Sequence, residues 1–472
     1  MFAKKPVVLF GYQFVAWRLA AAQLLMRERL AEGARLKGYS FYSHFPKDWL
    51  KPFSDAGCPL ALTCPVQPDR NSIDQALQLL TPIQDESELL SISKHGCRIG
   101  DLVVDTFFNE YRCASLDVKD ERLVPLLAKA VQIAETTVRY LDRHACRAVI
   151  TDQSAFYIYN GVTARLADLR SIPVYDMIYM GQMGLFRVEF PEQQRGACPN
   201  PYWKFRDRFR DLAEEAQHDA FVQADDILKM RMSGAVDNST LPSRSAYQSV
   251  SGAAEMKNNP ARQSRSFLVF LHEFSDAPHC YRWGLFENFY QWIEYILAFA
   301  SRNDIRVYVK PHPASFNFGR SPQKVLSDGV VERLKSKYQD AVFLDGSESN
   351  HFLRSCNPDL VLTVHGTIAH EMAYLGETVV NAGDNPHIQY AFCAHPTTIQ
   401  EYEQILSGAM HPTIMKDKHE ILEFIYMRYI YPLRHLNEAS FTPSELAFHE
   451  RSHCSGEQAL KLKRDIFNRC LS

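Results

Sequence analysis

The sequence predicts an α/β protein of two lobes, and three observations lead there. The segment Val307-Tyr-Val-Lys-Pro-His-Pro313 reads as an apolar strand running into a polar turn. Some fifty residues on, Leu360-Val-Leu-Thr-Val-His-Gly-Thr-Ile-Ala-His-Glu-Met-Ala-Tyr-Leu-Gly376 repeats the pattern, and there the turn opens a helix. Around both, strands alternate with helical periodicity, as in a parallel sheet. At 472 residues the chain is too long for one ordinary core, so two or three domains are expected.

The first strand is Val7 to Phe10, ended by Gly11, and it reads as a β-strand rather than a signal peptide. A helix is expected from about Phe14 to Lys37, with Leu19, Leu24, Leu25 and Leu30 at helical spacing. Residues 53–75 are rich in Pro, Cys and turn formers. Lys119–Arg143 has the period of a helix and leads into the strand Ala148-Val-Ile-Thr-Asp152. A helix from Gly161 to Arg170 and a strand Ile172–Tyr175 follow.

Between Met232 and Ser266 polar and small residues dominate and the period vanishes, which reads as an exposed linker. The second lobe then runs strand Phe267–Leu271, helix Phe286–Ser301, strand Ile305–Val309, helix Lys324–Lys337 and strand Val342–Leu344. Strand Leu360–Thr363, helix Gly366–Leu375 and strand Thr378–Asn381 complete it. The expected boundaries are a first lobe 1–232, a linker 233–265, a second lobe 266–415 and a charged helical tail 416–472.

Composition narrows the function classes. Hydrophobic content of 46% and charged content of 23% fit a soluble globular protein. A net charge of −3 without a basic block argues against nucleic acid as a partner. No run of about 18 apolar residues occurs, so no segment is expected to span a bilayer. The eleven cysteines are scattered and form no CxxC pair, which suits reduced thiols in a cytoplasm.

The candidate chemistry gathers at strand ends. Lys310 and His312 can donate to a phosphate, with Pro313 fixing the turn. At His365-Gly366-Thr367, glycine lets a ligand approach, and Thr367 can bond a phosphate oxygen while capping the helix. Glu371 is one turn further on, within reach of a ribose hydroxyl. Two such strand ends side by side would form a phosphate site at the carboxyl edge of the sheet. Asp276 and Glu273, in His272-Glu-Phe-Ser-Asp-Ala-Pro-His279, are candidate general bases. Asn385 belongs to a loop, Asp384-Asn-Pro-His387, expected to line the same pocket. In the first lobe Asp152 is a candidate base, with Tyr159 and Asn160 suited to hydroxyl-rich ligands. Asp105, beside Asp101, is a further acceptor-side acid whose alternation with apolar residues also fits an edge strand. No metal signature stands out.

Lys310-Pro-His-Pro313, Asp359 to Gly376 and Val380-Asn-Ala-Gly383 together resemble the second lobe of bacterial surface-polysaccharide glycosyltransferases. The capsule-biosynthesis enzymes that transfer Kdo from its CMP-linked form are the most similar in style. The His-Pro pair with a later hydroxyl-bearing turn is also similar to the CMP-binding motifs of bacterial sialyltransferases with two Rossmann-like lobes. The resemblance covers residues 266–400 and implies a GT-B-like fold, two Rossmann-like lobes facing across a cleft. It implies that His312 and Thr367 hold the donor phosphate, although Gly366-Thr367 stands where those families often show Ser-Ser or Ser-Thr. The expected activity is metal-independent transfer of a sugar from a nucleotide-activated donor to a glycan or glycolipid acceptor. No cofactor is expected, and the location is cytoplasmic with peripheral membrane association. The alternatives are a CDP-polyol phosphotransferase or a nucleotide-sugar epimerase of the same fold, and a carbohydrate-binding scaffold without catalysis.

Overall fold

A computed structural model describes residues 6–11, 34–41, 58–151, 156–179, 182–200, 202–234, 246–247, 265–281, 284–312, 322–346, 348–354, 357–415 and 417–436. The chain divides into two compact units. One comprises residues 1–107, 117–201 and 431–472, and the other 108–116 and 202–430. The sequence placed 202–232 with the first lobe; by contacts those residues group with the second unit.

In the first unit the described elements begin with strands β1 (Val7–Gly11), β2 (Arg35–Tyr39) and β3 (Leu60–Leu62), then helices α1 (Arg70–Leu80) and α2 (Glu86–Leu90). A two-stranded hairpin, β4 (Ser93–Lys94) with β5 (Cys97–Arg98), precedes α3 (Gly100–Tyr111) and α4 (Leu123–Arg143). After these come β6 (Cys146–Thr151), α5 (Tyr157–Leu169), β7 (Val174–Tyr179) and β8 (Gln182–Arg187). The sheet order is β3-β2-β1-β6-β7-β8, parallel except for the last pair. β1 is buried along its whole length, and its unbroken apolar run is what a strand covered on both faces requires.

Two expectations fail here. The helix expected through Lys37 cannot reach that far, because Arg35–Tyr39 is strand β2; residues 12–33 lie outside the described residues. Asp101 and Asp105 lie on a helix, not an edge strand, and both are 1% exposed. Apolar residues 102–104 and 107–108 recur one helical turn apart, and Gly100 admits the backbone of α2, where a Cβ would come within 1.9 Å of the Leu89 carbonyl oxygen. Asp101 pairs there with buried Arg165 at 2.6 Å.

The second unit contains α6 (Phe205–Arg210), α7 (Glu214–Met232), β9 (Ser266–Phe270), α8 (Phe289–Arg302), β10 (Arg306–Lys310), α9 (Pro322–Lys337) and β11 (Val342–Phe343). It continues with α10 (Asn350–Arg354), β12 (Leu360–Thr363), α11 (Ile368–Tyr374), β13 (Val379–Asn381), α12 (Ile399–Ser407) and α13 (Lys418–Tyr429). Its sheet is parallel in the order β11-β10-β9-β12-β13. Phe267, Val269, Val307, Val309, Leu360 and Leu362 pack under Trp292, Ile293 and Ile296 of α8. Asn288 caps α8 through the Gln291 N–H, and Thr398 caps α12 through the Glu401 N–H.

Both sheets therefore follow the Rossmann-like sequence in which the chain builds outward one way, returns to the first strand and builds the other way. That order corrects one expectation. β10 and β12 are not side by side, because β9 runs between them. The switch point of the second sheet falls between β9 and β12, so the loop after β9 becomes the centre of the carboxyl edge.

The segment between the units is not wholly solvent. Tyr247 is only 4% exposed, and the Asn350 N–H donates to the Ala246 carbonyl at 2.9 Å. Residues 235–245 and 248–264 lie outside the described residues, as do 437–472 of the tail. Among the described residues no helix is long and apolar enough to cross a membrane.

Candidate functional site

At the switch point the strand ends carry histidines. β9 delivers His272, 8% exposed, and β12 delivers Thr363, Val364 and His365. The backbone N–H groups of Val364 and His365 both point at His272 Nε2, at 3.2 and 3.4 Å, and Thr363 Oγ1 lies 3.1 Å from the same atom. Two backbone donors make Nε2 an acceptor, so the ring proton sits on Nδ1. The His272 ring stacks on Phe289 at 4.5 Å and meets His365 at 4.7 Å. Burial, then the neighbouring His365 and His312, hold His272 well below the ordinary imidazole range.

His272 was the residue that sequence reasoning passed over in favour of the acids beside it. The missed signal is positional: it is the first polar residue past the strand that follows the linker, which a 3-2-1-4-5 sheet places at the switch point.

The expected residues divide into two groups. His312 and His365 do belong to this cluster, and burial lowers each to about 4, so both are neutral near pH 7. His365 Nε2 is buried with no hydrogen-bond partner among the described residues. Its ring is flanked by Tyr281 at 5.1 Å and Phe289 at 5.3 Å. Gly366 is also part of the cluster, but a nearer reason than ligand approach accounts for it. A Cβ there would lie 3.3 Å from His272 Cε1 and 3.2 Å from Thr363 Oγ1. Thr367 begins α11 without capping it through its side chain, contrary to expectation. Its half-buried hydroxyl makes no hydrogen bond among the described residues.

The other group is taken up internally. Lys310 is 1% exposed and donates to the Glu348 carbonyl at 2.7 Å and Asn350 Oδ1 at 2.6 Å. Burial lowers its ammonium to about 8. Glu371, expected at a ribose hydroxyl, is 1% exposed, pairs with Arg231 and accepts the Tyr247 hydroxyl at 2.9 Å. Asn385 closes its own loop, donating to the Gly383 carbonyl at 2.9 Å and accepting from the His387 N–H at 3.0 Å. In each case the side chain fills a buried polar requirement that would otherwise be costly to leave open.

Of the candidate acids, Glu273 is half-buried and accepts the Ser327 hydroxyl at 3.1 Å. Asp276 is exposed, yet desolvation by the protein around it raises its carboxyl; the Ala277 N–H and the Arg112 charge oppose that. In the first unit, Asn160 is 5% exposed and accepts the Tyr39 hydroxyl at 3.3 Å, while Tyr159 is half-buried on α5. Buried Asp105, on α3, is ill placed to meet an acceptor. Asp152 and Pro313 lie outside the described residues. Among the described residues no group of three or more His, Cys, Asp or Glu side chains is arranged to hold a metal ion.

No protein-family model matches the chain, and no curated protein matches it. Among solved structures it is similar to a KpsC β-Kdo 2,4 transferase from Thermosulfurimonas dismutans, at 13% identity over 65% of this chain and 87% of that one, with a TM-score of 0.35. It is also similar to a KpsC β-Kdo 2,7 transferase from that organism, at 11% identity over 62% and 80%, TM-score 0.33. A UDP-GlcNAc 2-epimerase from Neisseria meningitidis bound to UDP-GlcNAc matches at 11% identity over 91% and 97%, TM-score 0.25. Identities and scores this low carry no functional argument.

Proposed function

We propose that the chain is a glycosyltransferase that takes its sugar from a nucleotide-activated donor held at the switch point of the second sheet. One observation carries the reading: three neutral, buried histidines, His272, His312 and His365, converge where strand order reverses in an open parallel sheet, the place such sheets bind ligands. His272 positions the β12 turn by holding its N–H groups. His312, His365 and the Thr367 hydroxyl then donate to the leaving phosphate as charge grows on it, so no metal is required. Asp276 is open to solvent with a raised carboxyl, the condition of a base able to take the acceptor hydroxyl proton. The motif resemblance favours a CMP-linked acid sugar such as Kdo, with a surface polysaccharide or glycolipid as acceptor.

The test is a panel of CMP-, UDP-, GDP- and CDP-activated donors, followed by donor hydrolysis and by calorimetry with the free nucleotides. Binding of one nucleotide should fall about tenfold to hundredfold in His312→Ala and in Thr367→Ala. Asp276→Asn should keep that binding and lose about 10²–10⁴ in turnover. Equal nucleotide affinity in the parent and both binding variants would remove the donor site from this turn.

A further inference from the structure

We propose that Arg428, carried on α13, is the cation of the β12 anion site and faces the phosphate of a nucleoside phosphate bound beside His365. This rests on the donor-site reading above and adds a residue from an element that reading leaves out.

The geometry begins with the rings. Arg428 is 5% exposed, and its guanidinium carbon lies 5.5 Å from the Tyr202 ring, 5.6 Å from Tyr429 and 5.8 Å from Phe424. Tyr202 is 6.0 Å from Tyr281, which stands edge-on to His365 at 5.1 Å. Phe424, one turn before Arg428, is 5.4 Å from His370 and 5.3 Å from His387. The guanidinium thus sits in the aromatic shell that surrounds the carboxyl ends of β12 and β13. α13 also packs on α11, the helix that the His365-Gly366-Thr367 turn opens.

Charge supports the same placement. A site for a phosphate needs positive charge, and the histidines of the cluster are neutral. Lys310 is bound to Glu348 and Asn350, and Arg231 to Glu371. After burial, the Arg428 charge helps lower both His370 and His365, and it acts on His387 as well. The influence is reciprocal: a field that opposes a proton on these rings favours an anion beside them. An arginine keeps its charge when buried, whereas the lysine at 310 is drawn down to about 8. The aromatic faces hold the guanidinium without neutralising it.

The test compares CMP with cytidine by calorimetry in the unaltered chain, Arg428→Met and Arg428→Gln. Methionine keeps the packing on the rings and glutamine keeps a polar head, so each isolates the charge in a different way. CMP affinity should drop about tenfold to hundredfold in both variants, with cytidine affinity unchanged. Unchanged CMP affinity, or an equal loss for CMP and cytidine, overturns the inference. So does failure of both variants to fold, which would make the charge structural. If the unaltered chain binds neither compound, the donor reading with a CMP-linked sugar falls; if it binds CMP without regard to Arg428, only this inference falls.

Discussion

Tyr247→Phe deletes one hydroxyl and leaves the ring, so it measures how firmly the segment between the units is fastened to the second sheet. The hydroxyl donates to Glu371 Oε2 at 2.9 Å, and burial together with the Glu371 charge keeps the phenol protonated far above its ordinary range. Arg231 still holds the other carboxylate oxygen in the variant, and the ring keeps its edge-on contact with His351 at 4.9 Å. A hydrogen bond to a buried charged group is worth about 1.5–3 kcal/mol. With Arg231 retained we expect about 2 kcal/mol, roughly a 30-fold shift in the unfolding equilibrium of the second unit. Urea titration followed by tryptophan fluorescence reads the loss. Limited trypsin digestion should cut sooner at Arg244 or Lys257, because release of Tyr247 loosens the chain on either side of it. A change below about 0.5 kcal/mol, with proteolysis unaltered, would mean that Glu371 does not depend on this segment.

The remaining predictions concern the same unit. His312, His365 and His395 are each lowered to about 4 by burial against an ordinary 6.5, so the unfolded chain binds more protons between those values. Stability should be full above about pH 6.5 and fall steadily toward pH 4, on the order of a few kcal/mol per histidine; a melting temperature flat across that window would contradict it. Gly366→Ala should cost about 1–3 kcal/mol and displace the His272 ring, since its Cβ meets three atoms at 3.2–3.3 Å. Gly329→Ala on α9 has nothing within 4 Å of the new Cβ and should gain about 0.5–1 kcal/mol; thermal melts of the pair decide both signs.

Most of the sheet-forming strands were legible because parallel strands covered on both faces read as unbroken apolar runs, and β1, β9, β10 and β12 all do. Helix α4 was legible from its period. The elements that escaped lack such a mark. α7 is strongly polar, and only Ala220, Ala224, Leu228 and Met232 are buried, at single four-residue steps that a scan for large apolar residues misses. β3 is three residues long within a Pro- and Cys-rich stretch. α3 was taken for a strand because its apolar residues cover nearly the whole surface of the helix, which erases the one-sided period.

The site was legible in place but not in role, and the reason is strand order. Sequence shows that β10 and β12 end in polar turns; it does not show that β9 separates them, and so assigns the phosphate to residues flanking the true centre. Lys310 and Glu371 then look like ligand groups because an ionisable residue after a strand ordinarily faces water. Here the loop bearing Glu348, Asn350 of α10, Tyr247 and Arg231 close over them, and each charge is spent within the protein. What remains unspent at the carboxyl edge is neutral: His272 bound by the β12 backbone, and His365 and Thr367 with polar atoms that no described residue satisfies. A ligand that reaches this turn therefore meets hydrogen-bond donors and acceptors first, and any charge it carries must be answered from beyond the two segments the sequence singled out.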